Sequence, residues 1–261
     1  MPSFLHSGNY SFFLNDTYSP VVDLQSKLAY MWDAEYSSTI TRDGGGLVSE
    51  WRDLVDGTPM VQATGASQPV YSATSFGGGA GVTFDGVDDQ LTYTMPGVHR
   101  FPLNAEPFEC WVLVSNATSS ADTAVKYFFG YGGNAYRHLG RFGASVNDTR
   151  TRSHITTGAG AVNLGTLRDL GLNTRFFFRV SNDGAATVIQ NNNSEYETDV
   201  ASAAMVPNTN AGRARIGASA ATTAASFLNG TVACVCLFNK LLTVDETDAL
   251  AGYMHQRRRL G

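Results

Sequence analysis

From residue 81 onward the chain breaks into short apolar or alternating stretches separated by Gly, Asn, Asp and Pro. Alternation with a period of 2 puts successive side chains on opposite faces of a strand, so this recurrence predicts an all-β sandwich. The predicted strands cover 81–84, 91–94, 108–115, 124–130, 137–142, 150–156, 175–181, 186–190, 214–218 and 230–238. Two stretches, Cys110-Trp111-Val112-Leu113-Val114 and Val232-Ala233-Cys234-Val235-Cys236-Leu237-Phe238, are apolar on both faces. They are expected to be central strands covered on both sides. Upstream, 24–32 reads as a short helix or turn running into a strand, and 44–53 as a Gly-rich turn followed by a strand.

The pattern turns helical only at the C-terminus. Thr243 is placed to cap a helix with Glu246 as its reciprocal partner, Asp245 and Glu246 suit the positive end of the helix dipole, and the residues from His255 to Arg259 suit the negative end. Leu250, Tyr253 and Met254 form its apolar stripe, and Arg257-Arg258-Arg259 reads as a basic helix terminus rather than an anion-binding patch. At the other end, residues 1–22 carry Phe4, Tyr10, Phe12, Phe13 and Tyr18 with no sustained period and read as an extended arm, leaving 23–261 as one domain. Such an arm cannot bury its aromatics alone, so it drapes over its own domain or docks on a partner.

Composition narrows the class. The hydrophobic fraction of 43% suffices for a core, while the charged fraction of 16% is low, with Ser, Thr, Asn, Gly and Ala taking up the difference; about 25% is usual. With a net charge of −5, this balance argues against a nucleic-acid partner, which needs clustered Lys and Arg. It suits an exported or particle-borne protein. No stretch approaches the ~18 apolar residues of a membrane span, and the first residues lack the basic region and long apolar core of a secretory signal. The three cysteines have no metal-ligand spacing. Cys234 and Cys236 share one face of a strand and cannot easily bridge each other; Cys110 paired with one of them, or three buried free thiols, are the two alternatives.

The candidate chemistry is sparse. In the stretch from Val82 to Leu91, Asp85-Gly86 is a hairpin signal, since Gly tolerates the positive φ of a tight turn. Asp85, Asp88 and Asp89 are also oxygen donors of the kind calcium takes, but one loop offers too few for its six to eight ligands, and the turn reading is preferred. Glu195, Glu197 and Asp199 would share a strand face, as the carboxylate pair of a retaining glycosidase must. They follow an Asn-rich turn outside the apolar strands, where a solvated hairpin edge fits better. The histidines are scattered, no Gly-x-Ser-x-Gly elbow occurs, and 77–81 lacks the Lys-Ser/Thr of a phosphate loop. No catalytic residue, metal ligand or cofactor is assigned. Tyr131 and Tyr136 flank Gly132-Gly133-Asn134, where rim-exposed rings would offer a glycan an apolar face and a hydroxyl.

Several segments also stand in a telling order: Leu-Ala-Tyr-Met-Trp-Asp-Ala at 28–34, Ser-Thr-Ile-Thr at 38–41, Val-Ser-Glu-Trp-Arg-Asp at 48–53, Gln-Pro-Val-Tyr at 68–71, the stretch 82–91, Ala-Arg-Ile-Gly-Ala-Ser at 214–219, and 228–243 running into the closing helix. Together they resemble the laminin-G-like branch of the concanavalin A-like lectin and glucanase superfamily. The resemblance implies a jelly-roll sandwich of two antiparallel sheets, a fold whose concave face often binds glycans and which recurs in bacterial surface proteins and bacteriophage tails and capsids. It implies a non-enzymatic virion component, a capsid decoration or tail fibre. Such a protein is expected to form homo-oligomers on the particle, to meet other virion proteins through residues 1–22, and to touch host or environmental glycans. The alternatives are a carbohydrate-binding module of a bacterial cell-surface or extracellular protein, and a glycoside hydrolase.

Overall fold

The strand Asn229–Phe238, apolar from Val232 onward, lies where its composition demands, inside a sheet with neighbours on both edges. The computed structural model describes residues 18–94, 100, 102, 106–116, 125–132, 136–142, 150–157, 160–169, 174–184, 187–191, 196–197, 212–221 and 223–259. Within them, strands form two antiparallel sheets, the expected all-β sandwich. Sheet A runs β15 (Tyr196–Glu197), β14 (Thr187–Asn191), β13 (Arg175–Asn182), β8 (Phe108–Asn116), β17 (Asn229–Phe238), β6 (Gly79–Asp85) and β5 (Val70–Phe76), with β1 (Leu28–Asp33) paired to the second half of β17. Sheet B runs β12 (Gly160–Asp169), β11 (Arg150–Thr157), β10 (Tyr136–Phe142), β9 (Lys126–Gly132), β16 (Arg213–Ile216), β7 (Leu91–Thr94), β4 (Pro59–Val61), β3 (Val48–Arg52) and β2 (Ile40–Arg42).

The two inner faces share one core built from Trp32, Trp51, Phe84, Phe129, Phe176, Phe178 and Leu237. On the outer face of sheet A a second cluster joins Trp111, Phe177, Cys234 and Cys236 to Leu250 and Met254 of helix α2 (Val244–Arg259). Sheet A is therefore apolar on both faces, as its strand sequences require. Helix α2 opens with the predicted capping box: the Thr243 amide donates to Glu246 Oε2 at 2.6 Å and the Glu246 amide to Thr243 Oγ1 at 3.3 Å. Two buried carboxylates fasten this layer. Asp33 accepts Arg257 Nη2 at 2.6 Å and the Tyr253 hydroxyl. Glu109 accepts Trp111 Nε1 at 2.6 Å, Arg179 Nε at 2.8 Å and the Leu242 amide at 3.3 Å. Arg257, read from sequence as part of a helix terminus, has this structural role.

Residues 18–22 of the expected arm lie on the domain itself. Pro20 is buried in the one-turn helix α1 (Pro20–Asp23), Val21 packs on the second cluster, and the Tyr18 ring meets that of Tyr253 edge-on at 6.5 Å. Residues 1–17 are outside the described residues.

Two sequence readings are revised and one open choice is settled. Asp85-Gly86 does not close a hairpin: β6 belongs to sheet A and β7 to sheet B, so the turn passes between sheets. Of the two cysteine alternatives the structure has the three buried free thiols, because the pleat sends Cys110 into the inter-sheet core and Cys234 and Cys236 to the outer face of sheet A. Burial pushes the Cys110 and Cys234 thiols well up, which keeps them protonated and inert. Third, β12 is a strand that 160–169 did not announce.

Candidate functional site

Four residues of β16 decide what the outer face of sheet B presents. Ala214 and Ile216 are fully buried in the inter-sheet core, so the pleat turns Arg213 and Arg215 to the opposite face. Arg215 is in register with Thr92 of β7 and Gly130 of β9; Arg213 is in register with Thr94 and Gly132 on the same two strands. The two arginines thus stand between a threonine side and a glycine side that raises no side chain beside them.

The arginines differ in employment. Arg215 is only 5% exposed and staples the loop that follows its strand. Its Nη1 donates to the carbonyls of Ser219 at 2.7 Å and Ala221 at 2.6 Å, and its Nε to Thr92 Oγ1 at 3.2 Å. Burial, and then the charge of Arg213 beside it, push its pKa down to about 10, which leaves it charged at neutral pH. Arg213 is half-buried and, among the described residues, makes no ion pair or side-chain hydrogen bond.

Counted by strand, without regard to face, sheet B is the basic sheet. The strands of sheet B hold ten of the chain's eighteen Lys and Arg residues but only two of its twenty-three Asp and Glu residues, Glu50 and Asp169. Besides Arg213 and Arg215, β10 contributes Arg137 and Arg141, and β11 contributes Arg150 and Arg152; Arg42, Arg52, Lys126 and Arg168 complete the set. Sheet A reverses the balance, with Arg175 and Arg179 against Asp33, Asp85, Glu109 and Glu197. Cross-strand like charges cost stability, yet Arg141 is directly opposite Arg152. Sequence reading missed this cluster because the residues are spread over more than 170 positions, from Arg42 to Arg215. Only the strand order brings them together.

The two tyrosines proposed from sequence part company. Tyr131 is fully buried in the inter-sheet core, its hydroxyl donating to the Pro102 carbonyl at 3.2 Å, so it offers no ring to a ligand. The reason is register: Tyr131 is paired with Ala214, an inward position. Tyr136 is paired with Gly132, which places it at the next register position of the Thr94–Arg213–Gly132 row.

The carboxylate motifs resolve differently. Asp85, Asp88 and Asp89 bring one oxygen each within 4.8 Å of the others. One oxygen of each is engaged locally: Asp85 Oδ1 accepts the Val87 amide at 2.8 Å, Asp89 Oδ2 accepts the Asp85 amide at 2.9 Å, and Asp88 Oδ2 accepts Ser67 Oγ at 2.8 Å. Burial raises Asp89 to about 6, with the Asp85 and Asp88 charges adding and the Asp85 amide opposing. This is turn chemistry. The segment Tyr196–Glu197 is the edge strand of sheet A, while Glu195 and Asp199 fall outside the described residues.

Asp53, in the turn after β3, is fully buried at its side chain and accepts the amides of Val55 at 2.7 Å and Thr58 at 2.8 Å. Burial, and then a hydrogen bond shared with Asp56, raise it to about 7 against those amides. A carboxyl whose folded pKa exceeds its unfolded value of about 3.9 destabilises the fold as it ionises. Its contribution is fully favourable below about pH 4 and is lost as pH rises toward 7. Urea unfolding at pH 5 and pH 7 is therefore expected to show lower stability at pH 7, with a smaller difference in Asp53→Asn; an unchanged difference would remove Asp53 as its source.

No protein-family model matches the chain, and no curated protein does. Solved structures match it in fold. The Trypanosoma rangeli sialidase in complex with sialic acid is 15% identical with a TM-score of 0.57, covering 90% of this chain and 34% of the sialidase. Domain 4 of AbnA, a GH43 extracellular arabinanase from Geobacillus stearothermophilus, in complex with arabinotriose, is 14% identical with a TM-score of 0.56, covering 86% of this chain and 98% of that domain. The binding domain of botulinum neurotoxin serotype G is 11% identical with a TM-score of 0.53, covering 88% of this chain and 51% of that one. The chain thus spans about a third of the sialidase's length, and what it shares with all three is the β-sandwich fold.

Proposed function

We propose that this chain is a non-enzymatic glycan-binding domain that takes its ligand on the outer face of sheet B. The observation that carries the reading is the pairing of exposed Thr94 with half-buried Arg213, whose side chain has no hydrogen-bond or ion-pair partner among the described residues. An exposed hydroxyl beside a guanidinium with unspent donors is a combination that sugar hydroxyls use. The AbnA domain, matched over nearly its whole length, was solved in complex with arabinotriose, which supports the same class of ligand. A glycan array probed with the purified chain tests the reading: binding that Thr94→Trp and Arg213→Gln each reduce at least tenfold supports it, and silence across the array refutes it.

Display on a bacteriophage particle is the setting we propose for this domain, with residues 1–17 meeting neighbouring virion proteins. The low charged fraction of 16% favours it, as does the docking of Tyr18 on α2, which starts the arm from a fixed point on the domain. Co-purification with intact particles, lost on deleting residues 1–17, is the expected result.

A further inference from the structure

We propose that the glycan held on sheet B is acidic, carrying carboxylate or sulfate groups, and that Arg213 is the residue that meets its charge. This rests on the glycan-binding reading and adds the ligand's charge to it.

Charge segregation is the first support. On a chain of net charge −5, one sheet holds ten basic and two acidic residues while the other holds two basic and four acidic. Within that sheet Arg52 is paired with Glu50 and Lys126 is buried, whereas Arg213 is left unneutralised among the described residues, a cation that attracts anions against the sign of the whole molecule.

Arg213 is the second. Arg215 has a structural task, holding Ser219 and Ala221. Arg213 has none among the described residues, and as a like charge beside Arg215 it opposes the buried guanidinium. Its flanking register partners are Thr94 and Gly132, neither of which can neutralise it. A cation that weakens its own fold and lacks an intramolecular partner is accounted for by an external anion. A guanidinium presents paired N–H donors that match carboxylate and sulfate oxygens.

A glycan fits better than a nucleic acid. The net charge repels a long polyanion beyond the sheet, whereas a short acidic saccharide lies within a few strand widths of it, beside Thr92, Thr94 and Arg213.

The test compares matched ligands by calorimetric titration of the full chain at low ionic strength: an oligogalacturonate against a neutral galacto-oligosaccharide of the same length, a sulfated against a desulfated oligosaccharide, and a single-stranded DNA oligonucleotide. Expected is at least tenfold tighter binding of an acidic than of its neutral partner, weakened by 0.5 M NaCl. Arg213→Gln is expected to remove that preference with no loss of melting temperature, and Lys240→Gln, an exposed charge beyond β17, to leave it intact. Equal binding of acidic and neutral partners overturns the inference while the glycan reading stands. Tighter binding of DNA than of any glycan, or no glycan binding, overturns both.

Discussion

Replacing Asp33 by Ala is expected to lower the melting temperature by roughly 6–20 °C. The carboxylate is fully buried between β1 and α2, where it accepts Arg257 Nη2 at 2.6 Å, the Tyr253 hydroxyl and, at 2.9 Å, the Glu35 amide. Removing it leaves the guanidinium of Arg257, itself only 6% exposed, without its main counter-charge. Breaking one side of a buried pair typically costs about 3–5 kcal/mol, and in a domain of this size each kcal/mol is worth about 2–4 °C. Arg257 also approaches Glu35, whose side chain is half exposed and screened by water, so that contact offsets little. The mechanism has a signature. Adding Arg257→Met to Asp33→Ala removes the stranded charge and is expected to recover part of the loss, whereas simple loss of packing would make the double variant worse than the single.

Gly217→Ala is expected to be comparably severe. Gly217 has φ +87°, and a Cβ there would lie 2.2 Å from Cδ1 of Phe84, a fully buried ring. Positive φ costs an L-residue about 1–2 kcal/mol and overpacking about 1–3 kcal/mol more. The same residue ties the loop down, donating to the Phe128 carbonyl at 3.2 Å and accepting the Leu228 amide at 2.7 Å. Thermal denaturation should show a drop of roughly 5–15 °C by the same size scaling. Phe84→Leu in the Gly217→Ala background should restore part of it by opening space, even though Phe84→Leu alone destabilises. Independent, additive losses would contradict the proposed clash.

These two positions show how the chain's motifs work. In Ala-Arg-Ile-Gly at 214–217, Ala214 and Ile216 face the core, Arg215 holds the loop, and Gly217 admits Phe84. The stretch 82–91 supplies that Phe84 and the self-capped turn that carries the chain from sheet A to sheet B. Such local features were legible because they depend on residues near one another: the apolar run of β17, the Thr243–Glu246 capping box, the positive φ of Gly86 at +82°. The partners of Asp85-Gly86 were not legible, since a five-residue connection serves a hairpin or a passage between sheets and long-range pairing decides. Strand β12 was hidden because Gly, Ala and Asn dilute its pattern, and pairing with β11 supplies what propensity does not. The face of Tyr131 turned on a one-residue register choice. The basic character of sheet B depends entirely on strand order, which composition averages away.

The outer face of sheet B is the proposed ligand surface. The decisive measurement is a crystal structure of the full chain with its best array ligand, in which a sugar is expected within hydrogen-bonding reach of Arg213 and Thr94. A saccharide ordered instead at the Asp85–Asp89 turn, or anywhere on sheet A, would contradict it.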